Sequence, residues 1–193
     1  MLIIERHRSA QRGATLLEIL ISILIFSIGL LGLASMQITS KRANYEALQR
    51  STAAVLAHGI LERMRVNQTA LDTYVAAANL GGGSLGVAPA TDCAAANCLP
   101  AQLSAYDLWS FEQELDGQDE QRGGAATGGL ASATACISGP PGGSGTYRIV
   151  IAWRGSAELE SPAGSVCGLG LGLYGDGDSL RRVLTITTFI GAI

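Results

Sequence analysis

An apolar run near the N-terminus constrains this chain more than any other feature of its sequence. Residues 14–34 read ATLLEILISILIFSIGLLGLA and hold a single charged residue, Glu18. Because about 20 helical residues cross the hydrocarbon core of a bilayer, the run predicts a single-pass membrane segment. The 13 residues before it contain three arginines and one glutamate, a net charge of +2 with histidine neutral. A positive flank stays cytoplasmic, so we expect the C-terminal part of the chain to lie outside the membrane.

Two simpler interpretations of the run are a secretory signal peptide, cut after residues 32–34 (Gly-Leu-Ala), and a plain signal anchor. The run is longer than the usual apolar region of a signal peptide, which counts against the first. Glu18 counts against both, because a carboxylate in the bilayer costs up to about 2.5–3.5 kcal/mol and a mere anchor gains nothing from it. Glu18 is therefore a candidate functional residue whose partner must be sought.

The rest of the composition excludes several classes of function. Apolar residues make up 48% of the chain but aromatic residues only 5%, and the formal charge is −3. Such a chain lacks the clustered cations of a nucleic-acid binder, so we expect no nucleic-acid partner. Three of the 13 basic and one of the 16 acidic residues precede residue 14, so residues 14–193 carry −5.

The sequence GATLLE at residues 13–18 resembles the processing site of type IV prepilins. The resemblance implies that prepilin peptidase cuts between Gly13 and Ala14 on the cytoplasmic side and methylates the new N-terminus at Ala14. Most members of that class have Phe after the cut, where this chain has Ala14. Glu18 becomes the fifth mature residue, and the family role of this carboxylate is to pair with the α-amino group of a neighbouring subunit during assembly.

The helical pattern continues beyond the apolar run. Residues 37–66 contain no Pro and a single Gly. Apolar residues recur there mostly every three or four positions, which predicts an amphipathic helix that packs on a globular head. The predicted stripe consists of Tyr45, Leu48, Val55, Leu56, Ile60 and Met64. We expect Glu62, Arg63 and Arg65 to lie on the solvated face, because exposed charge pairs contribute little.

Residues 27–34, Gln37, residues 50–51 and residues 62–67 resemble a subgroup of this class, the PilV-like minor pilins or type IV pilus modification proteins. The resemblance covers residues 12–67. It implies an α+β pilin fold and a place in the priming complex that initiates the pilus and ends at its tip. The implied partners are the inner membrane before assembly, prepilin peptidase, other minor pilins, the major pilin and a tip adhesin, in support of adhesion and twitching motility.

This interpretation divides the chain into a leader (residues 1–13), a transmembrane or assembly half-helix (14–38), an amphipathic half-helix (39–67) and a periplasmic β head (68–193). Two rival functions remain, of which the first has a similar N-terminus. One is a minor pseudopilin of type II secretion, and the other is a signal-anchored periplasmic domain that never polymerises.

The predicted head is rich in turns, with 20 of the 25 glycines between Gly81 and Gly177. Alternating apolar residues predict strands at residues 146–153 and 182–190, in a small antiparallel sheet that packs on the helix. Residues 103–115 predict a short helix or turn.

Four cysteines lie on the external side, where an oxidising compartment favours disulfides. Three pairings are possible, and we favour Cys93–Cys98 as a loop clip and Cys136–Cys167 as a closure of the sheet region.

Other candidate sites are weak. The glycines at positions 168, 170 and 172 lack the strand–turn–helix context of a nucleotide loop. Residues 176–178 (Asp-Gly-Asp) could contact calcium but lack the rest of such a loop, so we interpret them as a hairpin turn. His58 lacks a catalytic constellation and C-x-x-C spacing is absent, so we expect no metal site, no cofactor and no enzymatic activity.

Overall fold

The computed structural model describes residue 13, residues 15–140 and residues 143–191. The leader apart from Gly13, and the predicted methylation site Ala14, lie outside the described residues. The chain divides into two compact units, Met1–Ala43 and Asn44–Ile193. One helix, α1 (Leu16–Val66), passes through both of them.

Helix α1 has 51 residues and no Pro, which permits an uninterrupted hydrogen-bond ladder. An acidic residue, Glu18, lies in its first turn, and Arg63 and Arg65 lie in its last turn. Both placements complement the helix dipole, which favours anions at the N-terminus and cations at the C-terminus. The helix is followed by a single 3₁₀ turn, Gln68–Ala70, and by the short helix α2 (Leu71–Ala76).

The buried face of α1 within Asn44–Ile193 differs from the predicted stripe. It consists of Gln49, Ala53, Leu56, Ala57, Ile60, Leu61 and Met64. Of the predicted stripe, Tyr45, Leu48 and Val55 are exposed, so the prediction was wrong at these three positions. Two alanines, Ala53 and Ala57, lie in the first half of the buried face, and their small side chains permit close approach of the packed elements.

Helix α3 (Pro100–Asp116) confirms and extends the helix predicted at residues 103–115. Pro100 occupies the first helical turn, where its missing N–H costs nothing. The side chain of Gln102 accepts the backbone N–H of Leu99 at 2.9 Å, which satisfies a donor at the helix start. The helix ends at Asp116 and is capped by Gly117, whose φ of 68° is left-handed.

A three-stranded antiparallel sheet contains β3 (Thr134–Ser138), β4 (Gly145–Arg154) and β5 (Arg181–Ile190), in that order. Strands β4 and β5 confirm the two predicted strands, whereas β3 was not predicted. Two short strands, β1 (Gln121–Arg122) and β2 (Ala125–Ala126), form a separate hairpin.

The inner face of the sheet joins the head part of α1 in one apolar core. Its β4 residues, Tyr147, Ile149, Ile151 and Trp153, are buried together with the apolar residues of α1 and with Phe111 of α3. The structure is therefore α+β as expected, a long N-terminal apolar helix packed on a small antiparallel sheet.

The outer face of β4 is also covered along part of its length. Val150 and Ala152 are buried, although they alternate with the inward residues. The sulfur of Cys167 lies 3.6 Å from the carbonyl oxygen of Val150, and the Tyr174 hydroxyl donates to Thr134 Oγ1 at 2.8 Å. The glycine-rich segment between β4 and β5 thus folds back over the sheet.

Candidate assembly helix and its supporting head

The start of α1 is organised by the residue that precedes it. The backbone N–H of Glu18 bonds the carbonyl oxygen of Thr15 at 3.0 Å and lies 3.4 Å from its side-chain oxygen. A threonine at this position accepts first-turn N–H groups that have no partner inside the helix. Glu18 is thereby held in the first turn of the helix, immediately after the predicted processing site.

The first part of α1 exposes its apolar side chains on all sides. Every described residue from 15 to 45 is exposed, and Leu16 and Phe26 are 77% and 67% accessible. Within the described residues, α1 is the one helix long and apolar enough to cross a membrane, with a mean hydropathy of 2.6 in its best window. A surface that is apolar all round is consistent with membrane anchoring and requires an apolar environment.

The hydroxyl groups of this segment bond within the helix itself. Ser22 donates to the carbonyl oxygen of Glu18 and Ser27 to that of Ile23, both at 2.7 Å. Thr39 donates to the carbonyl oxygen of Ser35 at 3.2 Å. Donation to the carbonyl four residues earlier removes the need for solvent, so these polar groups are compatible with a lipid or protein environment.

The carboxylate of Glu18 is different. No hydrogen bond or ion pair joins it to any residue that the structure describes, and the side chain is exposed among leucines and isoleucines. In hydrocarbon or in a packed bundle of helices, an unpaired carboxylate is costly until a cation or several donors reach it. Among the residues that the structure describes, the segment thus leaves one strong acceptor, the Glu18 carboxylate, without a partner.

The head holds the other end of α1 through charged contacts. Glu46 accepts the backbone N–H of Ser156 at 2.5 Å and the hydroxyl of the same residue at 2.9 Å, and it lies 3.5 Å from Arg182 Nε. Arg63 lies 2.5 Å from Glu114 Oε1 and donates to the carbonyl oxygen of Asp107 at 3.1 Å. The expectation of a solvated face was wrong for Arg63, because its guanidinium reaches across to α3.

A buried polar chain connects the end of α1, α2 and the start of α3. Asn67 donates to the carbonyl oxygen of Pro100 at 2.7 Å, and the Tyr74 hydroxyl donates to the Asp107 carboxylate. Burial, with help from the Asp107 carboxylate, raises the pKa of Tyr74 above its ordinary 10.0. Burial also raises the pKa of Asp107 above 3.8, although the Tyr74 hydroxyl and Arg63 partly oppose it.

Two carboxylates one turn apart on α3 hold the glycine-rich loop at residues 81–85. Glu112 accepts the backbone N–H groups of Gly81, Ser84 and Leu85 at 2.8, 2.8 and 2.9 Å, and the Ser84 hydroxyl at 2.5 Å. Asp116 accepts the two intervening backbone N–H groups, each at 2.9 Å.

Five consecutive backbone donors are therefore satisfied by two side chains, an arrangement named here the carboxylate clamp (Glu112, Asp116 and residues 81–85). Burial alone would raise the pKa of Glu112, but its hydrogen bonds outweigh burial and lower that pKa below 4.5. Sequence reasoning missed the clamp. The available signal was an acidic pair at i, i+4 together with a Gly-Gly-Gly-Ser run.

The structure contains both disulfides favoured from the sequence, Cys93–Cys98 and Cys136–Cys167. The second joins β3 to the segment that covers the outer face of the sheet. Arg181 holds the same segment, because its fully buried guanidinium donates to the carbonyl oxygens of Cys167 and Pro162 at 2.8 and 2.6 Å. The disulfide and the hydrogen bonds of Arg181 thus fix a segment whose glycines would otherwise allow many backbone conformations.

The weak sequence candidates are placed as structural elements. His58 is an exposed residue of α1. Residues Asp176–Asp178 form a 3₁₀ turn that leads towards β5, and Asp178 accepts the backbone N–H of Gly170 at 2.9 Å. No group of three or more metal-ligating side chains lies together in the described ranges.

Two family models match adjoining stretches of the chain. The type IV pilin Tt1218 family (Tt1218-like) matches residues 35–109, and the prokaryotic N-terminal methylation motif matches residues 8–34. No curated protein and no solved structure matches the chain. The motif includes Gly13, Ala14 and Glu18, and the pilin match includes most of α1 with α2 and part of α3.

The matches, with a long apolar helix packed on an antiparallel sheet, support a type IV pilin that carries a prepilin methylation motif. The motif implies processing by prepilin peptidase and pilins as partners in general.

Proposed function

We propose that this chain is a PilV-like minor pilin that joins the priming complex of a type IV pilus and remains at the pilus tip. One observation supports an assembly role above all. The Glu18 carboxylate lies five positions after Gly13, on an apolar helix exposed on all sides, without a partner among the described residues. The resemblance of residues 27–37 and 62–67 to PilV-like pilins supports the minor-pilin assignment.

In this proposal the chain acts by assembly and not by catalysis. The precursor inserts into the inner membrane with its head in the periplasm. Prepilin peptidase cuts between Gly13 and Ala14 and methylates Ala14. The free α-amino group of a neighbouring subunit then approaches Glu18 as the apolar helices bundle, and the ion pair offsets the cost of burying the carboxylate. Such a pair would fix the axial register of the subunits.

A position at the pilus tip would link the chain to surface attachment and twitching motility. A priming complex initiates the pilus, carries an adhesin outward and so supports surface attachment and twitching motility. Deletion of the gene is expected to remove surface pili and twitching while protein secretion continues. Loss of secretion with intact pili would instead assign the chain to type II secretion as a minor pseudopilin.

Mass spectrometry of the mature N-terminus tests processing. A methylated Ala14 is expected, whereas a chain that begins at Met1 or Ser35 would indicate a signal anchor or a cleaved signal peptide. Glu18→Gln separates processing from assembly, since it removes the charge and keeps the shape. We expect normal cleavage and at least a tenfold loss of the chain from sheared pili.

Glu160→Gln is the matched control for Glu18→Gln. Glu160 is exposed on the head and makes no hydrogen bond or ion pair with any residue that the structure describes. Wild-type amounts of the Glu18→Gln chain in sheared pili would show that the ion pair is dispensable, and the assembly mechanism would then be wrong.

A further inference from the structure

The two edge strands of the three-stranded sheet differ in how far their outer backbone groups are hydrogen-bonded. The outer edge of β3 is partly closed by Leu80, which exchanges two backbone hydrogen bonds with Ala135 at 2.9 and 2.8 Å. Strand β5 pairs with β4 over its whole length and with no other strand of the described residues. The second edge of β5 is therefore the open edge of the sheet.

The register shows which backbone groups of β5 point to that edge. The N–H of Gly155 donates to the carbonyl oxygen of Leu180 at 2.7 Å, one position beyond the Arg154–Arg181 pair. Hydrogen-bonded and non-hydrogen-bonded pairs alternate along an antiparallel ladder. Leu180 belongs to a hydrogen-bonded pair, so every second residue after it does too. The residues of β5 that bond β4 are therefore those at positions 182, 184, 186, 188 and 190.

The intervening residues direct their backbone groups away from β4. These are Val183, Thr185, Thr187 and Phe189, with one N–H and one C=O each. None of these groups makes a backbone or side-chain hydrogen bond to another residue in the described part of the chain. A row of eight backbone donors and acceptors thus runs along seven residues of a regular strand.

The open edge lacks the usual protection. Folded proteins blunt exposed edges with Pro, bulges or charged side chains. Residues 183–189 read VLTITTF and contain no Pro, Gly or charge. Leu184 and Ile186 pack against the core yet are only partly buried, so the inner face of the sheet is incompletely covered at this edge.

We propose that β5 is a strand-addition site that receives an extended segment of a different protein as the fourth strand of the sheet. The added backbone would bond Val183, Thr185, Thr187 and Phe189, and alternate side chains would cover Leu184 and Ile186. The source of the added segment rests on the proposed function, in which neighbouring pilus proteins supply it.

A second copy of this chain fits the edge less well. Pairing of two β5 strands in one antiparallel sheet places a two-fold axis perpendicular to that sheet. This axis reverses the direction of the Asn44–Val66 part of α1, which packs on the sheet. Copies inserted in one membrane from the same side need these helices to run the same way, so self-pairing is disfavoured.

The flanking side chains restrict the chemistry of the added strand. Arg65 donates to Thr188 Oγ1 at 2.7 Å, and its side chain is 42% exposed. Phe189 is 66% exposed on the other face of the sheet. Arg65 is already paired with Glu62 Oε1 at 2.5 Å, so it requires no acidic residue from the segment, which is expected to alternate apolar residues with polar ones.

Hydrogen–deuterium exchange of the unmodified full chain tests the proposal. A tagged chain is purified alone in detergent and is compared with the same chain in sheared pili. Peptides that contain residues 183–189 should gain about four protected amides in pili, one for each outward N–H. No gain, in pili where residues 16–38 become protected, would overturn the proposal.

Failure of the proposed function would look different. The tagged chain would then be missing from sheared pili, and the comparison would be made with the chain in its native membranes. A gain of about four protected amides there would support strand addition without a pilus, and no gain would overturn it.

Proline variants provide a matched pair. Thr185→Pro removes an outward N–H and spares the ladder to β4, whereas Ile186→Pro removes a ladder bond to Ile149. The head of the Thr185→Pro chain is expected to keep its protease resistance. The amount of this chain in sheared pili is expected to fall at least tenfold. The Ile186→Pro chain should unfold at the sheet. A folded Thr185→Pro chain with wild-type incorporation would overturn the proposal, and the exchange measurement needs no variant.

The occupant is tested with two differently tagged copies in one cell. The detergent-solubilised complex that protects β5 is purified through one tag. Absence of the second tag is expected, and equal amounts of both tags would assign the added strand to a second copy and refute the assignment to a different protein.

Discussion

Removal of the Glu112 charge should weaken the head more than any single surface substitution. In the carboxylate clamp, one oxygen of Glu112 accepts three hydrogen bonds and the other accepts the N–H of Leu85. In Glu112→Gln the amide oxygen would keep three neutral acceptor bonds, and the amide NH₂ would face the Leu85 donor. Each charged bond that becomes neutral loses about 1 kcal/mol, and an unpaired buried donor costs about 1–3 kcal/mol.

Relief of the desolvation of the carboxylate offsets part of this sum, so the expected loss is about 3 kcal/mol in the free energy of unfolding. Urea unfolding of the full chain in detergent micelles, followed by the fluorescence of Trp109 and Trp153, measures it. Glu160→Gln is again the control and should change stability by no more than about 0.5 kcal/mol. A loss below about 1 kcal/mol for Glu112→Gln would refute the clamp as a stabilising element.

The pH dependence gives the same experiment a second readout. The pKa of Glu112 in the folded head is below the ordinary 4.5, so the unfolded chain takes up the proton first as the pH falls. The contribution of this carboxylate is complete above pH 4.5 and declines as the pH falls through the folded pKa. Glu112→Gln should therefore unfold with a weaker acid dependence than the wild-type head, and an unchanged dependence would contradict the assigned cause.

Two further comparisons use matched variants. Gly81→Ala should lower the free energy of unfolding by several kcal/mol, because the added Cβ would lie 2.2 Å from a backbone oxygen at a φ of +125°. Gly82→Ala has open space around its Cβ and should cost about 1–2 kcal/mol for its left-handed φ. Similar losses for the two variants in urea unfolding would contradict this reasoning. Loss of Cys136–Cys167, with a separation of 31 residues, should destabilise the head by about 4 kcal/mol, and loss of Cys93–Cys98, with a separation of 5, by about 2 kcal/mol, in double-serine variants followed by thermal unfolding. The reverse order would show that loop closure does not govern their contributions.

The elements predicted correctly from sequence have a strong local pattern. The apolar run predicts the first part of α1, and alternation predicts β4 and β5 within one residue of their ends. Strand β3 was missed because its five residues, TACIS, are too short and too mixed in polarity to show alternation. Its place in the sheet depends on pairing with β4 and on the disulfide at Cys136, which are long-range contacts.

The buried face of α1 was misjudged for a physical reason. A search for large apolar residues selects Tyr45, Leu48 and Val55, but the head packs against Ala53 and Ala57. Close packing of elements uses small side chains, and hydropathy gives these little weight. The side of a helix that faces a partner is therefore decided by shape as well as by polarity.

The polar interactions of the head were beyond sequence reasoning, because each joins residues far apart in the chain. The Tyr74–Asp107 bond spans 33 positions, and the bond from Gly81 to Glu112 spans 31. The acidic pair on α3 and the Gly-Gly-Gly-Ser run are visible in the sequence, but nothing local indicates that they contact each other. By contrast Glu18 was found at once, since a charge within an apolar run is anomalous in its own local context.

The hydrogen-bonded polar groups of the head contrast with two sets of polar groups that have no partner among the described residues, the Glu18 carboxylate and the outward backbone groups of β5. The buried charged side chains Glu112 and Arg181 each make several hydrogen bonds, four to Glu112 and three from Arg181. Among the buried side chains of the described residues, the Trp153 indole nitrogen is the one polar atom without a hydrogen-bond partner, so the unpaired acceptor of Glu18 and the eight unpaired backbone groups of β5 stand out. Both features lower stability or solubility in the isolated subunit. Under the two proposals, a cation at Glu18 and an added strand at β5 would remove these costs, and the energetic cost of the free subunit would then become part of the driving force for its assembly.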